Sequence, residues 1–472
     1  MFDENEEQFD DQFNFELTRF ENMIEYGEAY YFDPEVLELI IDNYIIKNQL
    51  KKAQLAIDFG IDQHPSHSNF NLKRAQLYST TGQLKESLLL LQVLEKIDPY
   101  NSEVFITIAN VFSQLRDHPK AIKYYEKALS IDEEGTENHS EIIEIMLDLA
   151  LEYENLQDFD GAINVLTNLL VKSPNNESAI YEIAYCYERL GNFDKCIEYY
   201  NKYIDNNPYS FTAWYNLGNI YFLKKDHEKA LWAYDYALVI NEDFASAHFN
   251  MGNTYMQIED FNKAIESYNK CLKLDPDDAL TLCYLGEAYE RIENYEYALK
   301  YYHKSKNINP NIADSWLGIG IVKDLQGDTN QSISFLQQAV NIQTNNANYN
   351  LVLGEALFKL ERFAEAEIVL ERALQIDNTY AQAIELLAKI KFEYNISEAI
   401  EFLKQTDENH ALDTSNKILL VSLLWYNGQR FEALEIFKNE FQQNAKQAIK
   451  FLLLHLPEST KISEFNNIID PQ

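Results

Sequence analysis

Large apolar, small and aromatic residues recur along this chain at spacings of three and four, which is the pattern of one buried helix face. The stretch after Phe211 shows the pattern clearly, with these residues in order: Trp214, Leu217, Gly218, Tyr221, Ala230, Tyr234 and Ala237. The first four belong to one apolar face and the last three to a second. Each such stretch therefore predicts two short helices, each with an apolar face to bury.

The pattern has a period of 34 residues, because the stretches that begin at Phe211, Ala245 and Ala279 carry similar residue types in the same order. A small residue at the Ala230 position lets the second helix approach the first closely. A proline such as Pro276 ends the second helix, since proline cannot continue the hydrogen-bond ladder. Each repeat is therefore predicted to be an αα-hairpin that must stack on its neighbours.

The recurring residues resemble the tetratricopeptide repeat family, because several positions recur in phase rather than one motif occurring once. The resemblance covers about residues 34 to 440 and implies an all-α, right-handed superhelical solenoid of αα-hairpins with helical end caps. Clear repeats are predicted to begin at Pro34, Ser68, Ser102, Ile143, Glu177, Phe211, Ala245, Ala279, Ala313 and Ala347. Degenerate copies are predicted to begin near Ala381 and Thr414.

The repeats divide the chain into segments. We expect an acidic N-terminal arm and capping helix over 1–33, repeats 1–3 over 34–135, an insertion over 136–142, repeats 4–10 over 143–380, degenerate repeats over 381–440, and a C-terminal capping helix and tail over 441–472. The insertion is either a tolerated surface extension or a contact site for a partner. The capping helix is expected over 15–25, and the arm before it, with Phe2, Phe9 and Phe13 among acids, either frays or docks elsewhere.

Composition supports a folded helical protein with a strongly acidic surface. The 472 residues include only 14 Gly and 10 Pro, and 46% are apolar, which is more than a disordered chain carries. Lys and Arg number 39 against 76 Asp and Glu, a net charge of −37 that repels phosphate backbones and anionic lipid headgroups. Neither nucleic acid nor a membrane is therefore an expected partner.

Targeting and redox signals favour a cytoplasmic protein. The acidic N-terminus has no secretory pattern, and no apolar run approaches the roughly 18 residues needed to span a bilayer. Cys186, Cys196, Cys271 and Cys283 show no CxxC spacing, so free buried thiols are expected and a zinc site is not.

Catalytic and cofactor motifs are missing from the sequence, which holds no GxxxxGK[ST], GxGxxG, HExxH or GxSxG. Gly320 falls at a helix-crossing position and is read as a packing residue. His64 and His67 flank a proline at a repeat junction and are read as exposed loop residues rather than metal ligands. We therefore expect a protein that is not an enzyme, without cofactor, metal or small-molecule substrate.

The resemblance implies that the first helix of each repeat lines a concave groove, where ligands contact repeat positions 2, 5, 6, 9 and 13. In the early repeats these positions would form an acidic entrance with Glu35, Glu38, Asp42, Glu103, Glu144, Asp148 and Glu182. In the middle repeats they would form an uncharged peptide-binding centre with Tyr181, Tyr185, Tyr215, Asn216, Asn219, Phe249, Asn250, Asn253 and Gln257.

Asparagine recurs at two of these positions in adjacent repeats, which is similar to the asparagine ladder of some peptide-binding members of the family. A side-chain amide donates and accepts hydrogen bonds at once, so a row of amides can pair with the backbone of an extended peptide. The alternative is that Asn is only a common polar filler at these positions.

Some family members grip acidic C-terminal tails with a clamp of Lys, Asn, Asn, Lys and Arg. The resemblance places the clamp on Tyr215, Asn219, Asn250, Leu280 and Tyr284, so both Asn are kept and all three cations are missing. Without cations the carboxylates of an acidic tail would lose their hydration uncompensated. A neutral or basic extended segment is the expected ligand.

Two functions remain open from the sequence. The leading interpretation is a non-catalytic scaffold or adaptor that binds an extended peptide segment of a protein partner in the groove. The alternative is a chaperone-like holdase for basic or secreted clients that uses its acidic surface as a whole. Salt separates them, because binding to surface charge is screened, whereas a groove of amides and aromatic rings is salt-tolerant.

Overall fold

Helices connected by short turns make up the computed structural model, which describes residues 4–27, 30–132, 139–408 and 411–470. Within these ranges the regular structure is helical throughout, without a strand. Within each of the chain's two compact units, consecutive helices contact each other pairwise, as stacked αα-hairpins do. The all-α repeat fold expected from the sequence is therefore confirmed.

The chain forms two compact units, Met1–Asp226 and His227–Gln472. The helices of the first unit are α1 (Glu4–Tyr26), α2 (Pro34–Ile46), α3 (Leu50–Gln63), α4 (Asn69–Thr80), α5 (Leu84–Ile97), α6 (Ser102–Gln114), α7 (His118–Asp132), α8 (His139–Asn155), α9 (Phe159–Lys172), α10 (Glu177–Arg189), α11 (Phe193–Asn206) and α12 (Phe211–Leu223).

The second unit continues the same alternation of first and second helices. Its helices are α13 (His227–Ile240), α14 (Ala245–Gln257), α15 (Phe261–Leu274), α16 (Ala279–Arg291), α17 (Tyr295–Ile308), α18 (Ala313–Leu325), α19 (Thr329–Ile342), α20 (Ala347–Lys359), α21 (Phe363–Ile376), α22 (Ala381–Tyr394), α23 (Ile396–Glu408), α24 (Thr414–Tyr426), α25 (Arg430–Gln443), α26 (Ala445–His455), a 3-10 helix (Pro457–Lys461) and α27 (Ser463–Ile469).

The first helices begin close to the predicted repeat starts, and the clearest difference is at α8. This helix begins at His139 instead of Ile143, so residues 139–142 of the predicted insertion form its first turn. The rest of the predicted insertion, 136–138, lies outside the described residues. Four residues of the predicted insertion thus lengthen a helix.

The N-terminal helix is also longer than the helix predicted over 15–25. It runs over Glu4–Tyr26, so most of the expected flexible arm has helical backbone. Phe2 lies outside the described residues, and the docking of the arm stays a question for experiment.

A residue with left-handed backbone ends the first helix of most hairpins. These residues are Asn48, Gly82, Arg116, Gln157, Gly191, Lys225, Glu259, Glu293, Gly327, Glu361 and Gly428. The next backbone N–H then bonds back into the helix, as Asn294 N does to Tyr289 O at 2.9 Å. The residue that follows the left-handed one often also caps the second helix, as Asn294 does when its Oδ1 accepts from Tyr297 N. One turn thus closes the first helix and opens the second.

Glycines at the helix crossings allow the two helices of a hairpin to touch. A Cβ added at Gly286 would lie 2.8 Å from Tyr302 Cδ1, and one at Gly320 would lie 2.5 Å from Leu336 Cδ2. Gly320 is therefore a packing residue.

Aromatic clusters close both ends of the array. Near the N-terminus the Phe20 ring lies 5.6 Å from that of Phe32 and 5.8 Å from that of Phe59. Near the C-terminus the Phe465 ring of α27 lies 5.2 Å from that of Phe437 and 4.8 Å from that of Trp425. The expected helical end caps are present.

Candidate peptide-binding surface

First helices of consecutive repeats lie side by side in each unit, for example α4 with α6 and α16 with α18. We call the face that these first helices form the inner face. The predicted binding residues lie on first helices of both units, Tyr181 on α10, Asn216 on α12 and Asn250 on α14.

A cleft of about 620 Å³ opens on the inner face of the first unit. It is lined by residues of α4, α6, α7 and α8, and we call it the α6–α8 cleft. Its polar lining includes Gln76, Glu103, Thr107, Asn110, Gln114, Glu141, Glu144, Asp148 and Glu152. Three of these residues, Glu103, Glu144 and Asp148, were predicted to form the acidic entrance.

The carboxylates of the α6–α8 cleft repel one another. Burial, followed by the charges of Glu144 and Glu152, raises the pKa of Asp148. Glu152 is itself only 2% exposed and is held by the Ser113 hydroxyl at 2.6 Å and by His118 Nδ1 at 2.7 Å. The cleft therefore holds more negative charge than its own residues compensate.

The remaining acids of the predicted entrance differ in how they are held. Glu35 is exposed, whereas Glu38 Oε1 lies 2.6 Å from His67 Nε2. His67 is thus half-buried against a carboxylate instead of being an exposed loop residue. Asp42 pairs with Lys73 Nζ at 2.9 Å. The start of the array is therefore better neutralised than the α6–α8 cleft.

Further carboxylates on α8 and α10 are less well compensated. Burial, followed by the charge of Glu182, raises the pKa of Glu154 to about 7. Burial also raises the pKa of Glu182. The Cys186 thiol lies 3.5 Å from Glu154 Oε1 and donates to it.

Two predicted tyrosines on α10 differ in how far they are already engaged. Tyr181 Oη bonds to Glu177 Oε1 at 2.5 Å and to Thr212 Oγ1 at 2.7 Å. Burial, followed by the bond to Glu177, raises the pKa of Tyr181 to about 12. Tyr185 is 44% exposed, and its ring meets Phe159 edge-on. Tyr185 is the more accessible of the two.

Predicted residues on α12 are all partly buried. Tyr215, Asn216 and Asn219 alternate along the helix with the buried residues Ala213 and Leu217. Their spacing places them on the inner face of the first unit, where a ligand could reach them.

Asparagines at one of the two ladder positions also bind tyrosine hydroxyls from the second helix. Tyr268 Oη donates to Asn253 Oδ1 at 2.7 Å, and Tyr125 Oη donates to Asn110 Oδ1 in the same way. At this position Asn therefore stabilises the hairpin, a role that the sequence analysis did not consider.

On α14, a ring cluster surrounds the predicted binding residues. The Phe249 ring lies 5.9 Å from that of Tyr268 and 5.5 Å from that of Tyr284. Asn250, the residue after Phe249, is partly buried. Gln257 is exposed at the end of the helix.

A second cleft, of about 530 Å³, opens on the inner face of the second unit. It is lined by residues of α16, α17, α18 and α20, and we call it the α16–α18 cleft. Its lining includes Leu280, Cys283, Tyr284, Glu287, Glu290, Arg291, Tyr302, Asp314, Leu317, Asn346, Asn348 and Tyr349. Leu280 and Tyr284 are the two residues at the last clamp positions.

Carboxylates and tyrosines set the chemistry of the α16–α18 cleft. Tyr302 Oη donates to Glu290 Oε2 at 2.8 Å, and Tyr349 Oη donates to Asp314 Oδ1 at 2.5 Å. Burial raises the pKa of Glu290 and of Glu287, although Arg291 lies 3.6 Å from Glu287 Oε1. One arginine thus accompanies three carboxylates.

The expectation of an uncharged centre missed these acids. Glu287 lies where Asn219 and Asn253 lie in their repeats, and Asp314 lies where Glu35 does. Reading the same repeat positions beyond Gln257 would have found both residues. The inner face of the second unit is thus more acidic than predicted.

Two properties of the described ranges bear on other kinds of site. They contain no group of three or more His, Cys, Asp or Glu side chains placed to hold a metal ion. None of their helices is both long enough and apolar enough to cross a membrane.

Family models match several parts of the chain. Models described as tetratricopeptide repeats match residues 102–134, 218–259, 245–278 and 325–390. A model described as "Anaphase-promoting complex, cyclosome, subunit 3" matches residues 155–237. No curated protein matches the chain significantly.

Solved structures of similar helical arrays cover different shares of the chain. MamA protein is 27% identical over 36% of this chain and 93% of its own, with a TM-score of 0.33. A tetratricopeptide repeat protein from Parabacteroides merdae is 21% identical over 48% of this chain and 91% of its own, with a TM-score of 0.41. The Cut9-Hcn1 hetero-tetramer of APC/C is 15% identical over 85% of this chain and 91% of the matched one, with a TM-score of 0.42.

Proposed function

Because this chain is a tetratricopeptide repeat protein, and such repeats are in general scaffolds for protein–protein interaction, we propose that it binds an extended segment of a partner protein along the inner face of each unit. It does so without catalysing a reaction. The segment is basic, with Lys or Arg side chains that enter the clefts. The observation that carries this proposal is the excess of carboxylates over cationic side chains in the lining of the cleft in each unit.

Raised pKa values support the binding of a cation there. Asp148 in the first unit and Glu287 in the second have raised pKa values mainly because burial removes water from their charged forms. A ligand ammonium or guanidinium would give Asp148 an opposite charge and hydrogen bonds, and at Glu287 it would add to the single charge of Arg291. Such a pair exceeds an exposed ion pair in strength, since less solvent screens it.

Other inner-face residues suit the rest of an extended segment. Asn216 and Gln257 present amides that can pair with a peptide backbone irrespective of its sequence. Tyr185 and Phe249 offer aromatic surface to apolar side chains. Charge would therefore select the segment, while amides and rings would hold its backbone and apolar side chains.

The second candidate function, a holdase for basic clients, is favoured by the net charge of −37. Such a holdase would use the whole acidic surface, so no single carboxylate would matter much to it. A single substitution of a carboxylate should therefore weaken groove binding clearly but change the binding of a holdase client very little.

Fluorescence anisotropy with a labelled extended peptide that carries alternating Lys residues tests the proposal. A peptide with Gln in place of Lys is the matched ligand control. We expect Asp148→Asn and Glu287→Gln to weaken the Lys peptide roughly tenfold each, about 1.4 kcal/mol. Glu198→Gln is the matched protein control, because Glu198 pairs with Lys195 at 2.7 Å on a second helix.

Each result of this experiment has a distinct meaning. Weakening confined to the inner-face variants supports groove binding. Equal and small effects of all three substitutions would favour the holdase, and equal affinity for the Lys and Gln peptides would refute a basic ligand. Since Asp148→Asn and Glu287→Gln remove poorly compensated charges, both variants should stay folded, which circular dichroism checks.

We also propose a cytoplasmic location. All four cysteines, Cys186, Cys196, Cys271 and Cys283, are free and buried. Free thiols are usual in reducing compartments. Imaging of the tagged protein in its native cell, scored against a cytoplasmic marker, tests this placement.

A further inference from the structure

An apolar stripe on α5 is exposed, on a helix whose buried residues are Ser87, Leu91 and Leu94. Leu89 is 66% exposed, Val93 52% and Ile97 64%, and Tyr100 just after the helix is 81% exposed. Their spacing of four residues puts the first three along one side of the helix. We call these four residues the α5 stripe. Four large neighbouring side chains in water are unusual for a surface that has no partner.

Part of the equivalent surface one repeat earlier, on α3, is covered by the N-terminal helix α1, although Leu55 there is still 50% exposed. Phe59 lies where Val93 lies in the next repeat, and its ring is 5.8 Å from that of Phe20 on α1. Beside it, Lys52 Nζ donates to Glu21 Oε1 of α1 at 2.6 Å. The structure thus shows once how a Phe and a carboxylate of α1 cover the outer side of a second helix.

The part of the chain around α5 is weakly basic within an acidic protein, although the charges of α5 itself cancel, Lys85 and Lys96 against Glu86 and Glu95. Residues 47–127 hold 11 Lys and Arg against 8 Asp and Glu, a net charge of +3 in a chain of net −37. Helical spacing puts Lys85, Gln92 and Lys96 along one border of the stripe, and all three are exposed. A covering segment should therefore be apolar on one side and acidic beside it.

The start of this same chain has that composition. Residues 1–13 contain six acidic residues and no Lys or Arg, and they carry Phe9 and Phe13. Together with Phe20, these two phenylalanines have spacings of four and seven, which is the spacing of one helix face. This segment thus has the same kinds of residue, Phe and acids, as Phe20 and Glu21, which contact α3.

We propose that the acidic start of α1, residues 1–13 of one copy, docks on the α5 stripe of a second copy. Within one copy the stripe is exposed, while α1 is one continuous helix anchored by Phe20 on α2 and α3. In the structure, α1 leaves the stripe of its own copy uncovered. Exchange between two copies keeps both helices intact.

Reciprocal exchange gives a closed dimer with two identical contacts. Each copy donates one helix and accepts one, which is the arrangement of a two-fold interface. Two copies of the contact also double the buried area, which brings a single-helix contact closer to what a stable dimer buries. The −37 charge of each copy opposes association at low salt, but the contact itself joins opposite charges.

Light scattering coupled to size exclusion, on the full chain at 5–100 μM and moderate salt, tests the proposal. The wild type should be a dimer. A variant that lacks residues 2–11 and the variant Val93→Glu should both be monomers, with dimer dissociation constants weakened at least tenfold. Val171→Glu, a substitution at a 78% exposed position on α9 of the same unit, is the matched control and should remain a dimer.

A labelled peptide of residues 1–13 gives a second measurement. It should bind the variant lacking residues 2–11, bind more weakly as NaCl increases, and lose at least tenfold in affinity when Val93→Glu is added. A wild type that is monomeric at all concentrations, or a dimer that persists in both variants, would overturn the proposal. So would a peptide without measurable affinity, and the stripe would then belong to a different occupant.

Discussion

At the scale of single residues, the inner-face carboxylates are held at a cost to stability. Burial and the charge of Glu182 raise the pKa of Glu154 from 4.5 to about 7. The folded protein binds the proton of the Glu154 carboxyl more tightly than the unfolded chain does. Protonation of Glu154 therefore stabilises the fold fully below about pH 4.5, and this stabilisation is lost as the pH rises through 7. Ionised Glu154 therefore works against folding at physiological pH.

Glu154→Gln should remove this cost, because Gln carries no charge and still accepts from the Cys186 thiol. We expect a gain of about 1–2 kcal/mol at pH 8, after allowing for solvent screening at a partly exposed site. The gain should vanish at pH 4. Urea unfolding of both proteins at several pH values measures it. A gain of the same size at pH 4 would show that charge is not its cause.

Asn253 and Asn216 separate structural from binding roles of the asparagines. Asn253→Ala leaves the buried Tyr268 hydroxyl without its acceptor, so we expect a loss of about 1–2 kcal/mol in stability. Asn216→Ala should change stability by less than about 0.5 kcal/mol. Thermal or urea unfolding checks both. Equal losses would mean that Asn216 is also structural, and Tyr268→Phe with Asn253→Ala should recover part of the loss.

Prediction of individual side chains from the sequence was uneven, and the reason is physical. A repeat position indicates which helix side a residue occupies, and Asp148, expected at the acidic entrance, lines the α6–α8 cleft. The partners of a side chain come from other helices, whose distance the pattern does not give. The bond from Tyr268 to Asn253 and the contact of His67 with Glu38 were therefore missed.

At the scale of elements, the hairpin turns invite a direct test of backbone strain. Glu293 has φ 60°, a left-handed conformation in which a Cβ costs about 1–2 kcal/mol. Glu293→Gly should remove this cost, but glycine loses more conformational entropy on folding. The net effect should be a stabilisation of about 0.5–1 kcal/mol. Gly191→Ala at φ 71° should destabilise it by about 1 kcal/mol.

The matched control for the turn is Glu296→Gly, because Glu296 is also exposed but lies in the first turn of α17. Glycine inside a helix should destabilise by about 0.5–1 kcal/mol, the opposite sign. Calorimetric or denaturant unfolding of all three variants checks the pattern. Destabilisation by Glu293→Gly would mean that the Glu side chain contributes more than the strain removes.

Helix starts were the best-predicted elements, because the 34-residue period places each one independently. The period fails where residues are inserted, so α8 begins at His139 instead of Ile143. The period also predicts no helix start before the first repeat, where α1 begins at Glu4. In the degenerate repeat, Asn395 alone joins α22 to α23 in extended conformation, and the usual left-handed residue is missing there.

At the scale of the whole molecule, 76 acids against 39 bases make self-repulsion a general destabilising force. We expect the Tm to rise on the order of 3 °C between 0.05 and 0.5 M NaCl, because salt screens charges beyond about one Debye length. Differential scanning calorimetry measures the change. A Tm that falls with NaCl would show that favourable ion pairs, such as Lys73 with Asp42, outweigh the repulsion.

The same salt series should weaken a basic peptide bound to the inner face. Binding to the partly buried carboxylates should fall less steeply than binding to the exposed surface, since burial limits screening. Comparing the affinities of Asp148→Asn and wild type along the salt series separates binding to the cleft from binding to the exposed surface. Stability and affinity should therefore move in opposite directions with salt.

Its free cysteines give this protein internal reporters of local opening. Cys186 and Cys196 lie in the first unit, Cys271 and Cys283 in the second, and burial raises the pKa of all four thiols, so a native thiol is unreactive. A thiol-specific reagent modifies each one only when its own hairpin opens. Chains that keep a single cysteine would then give four opening rates, and the order of these rates would show where along the array a partner tightens the structure.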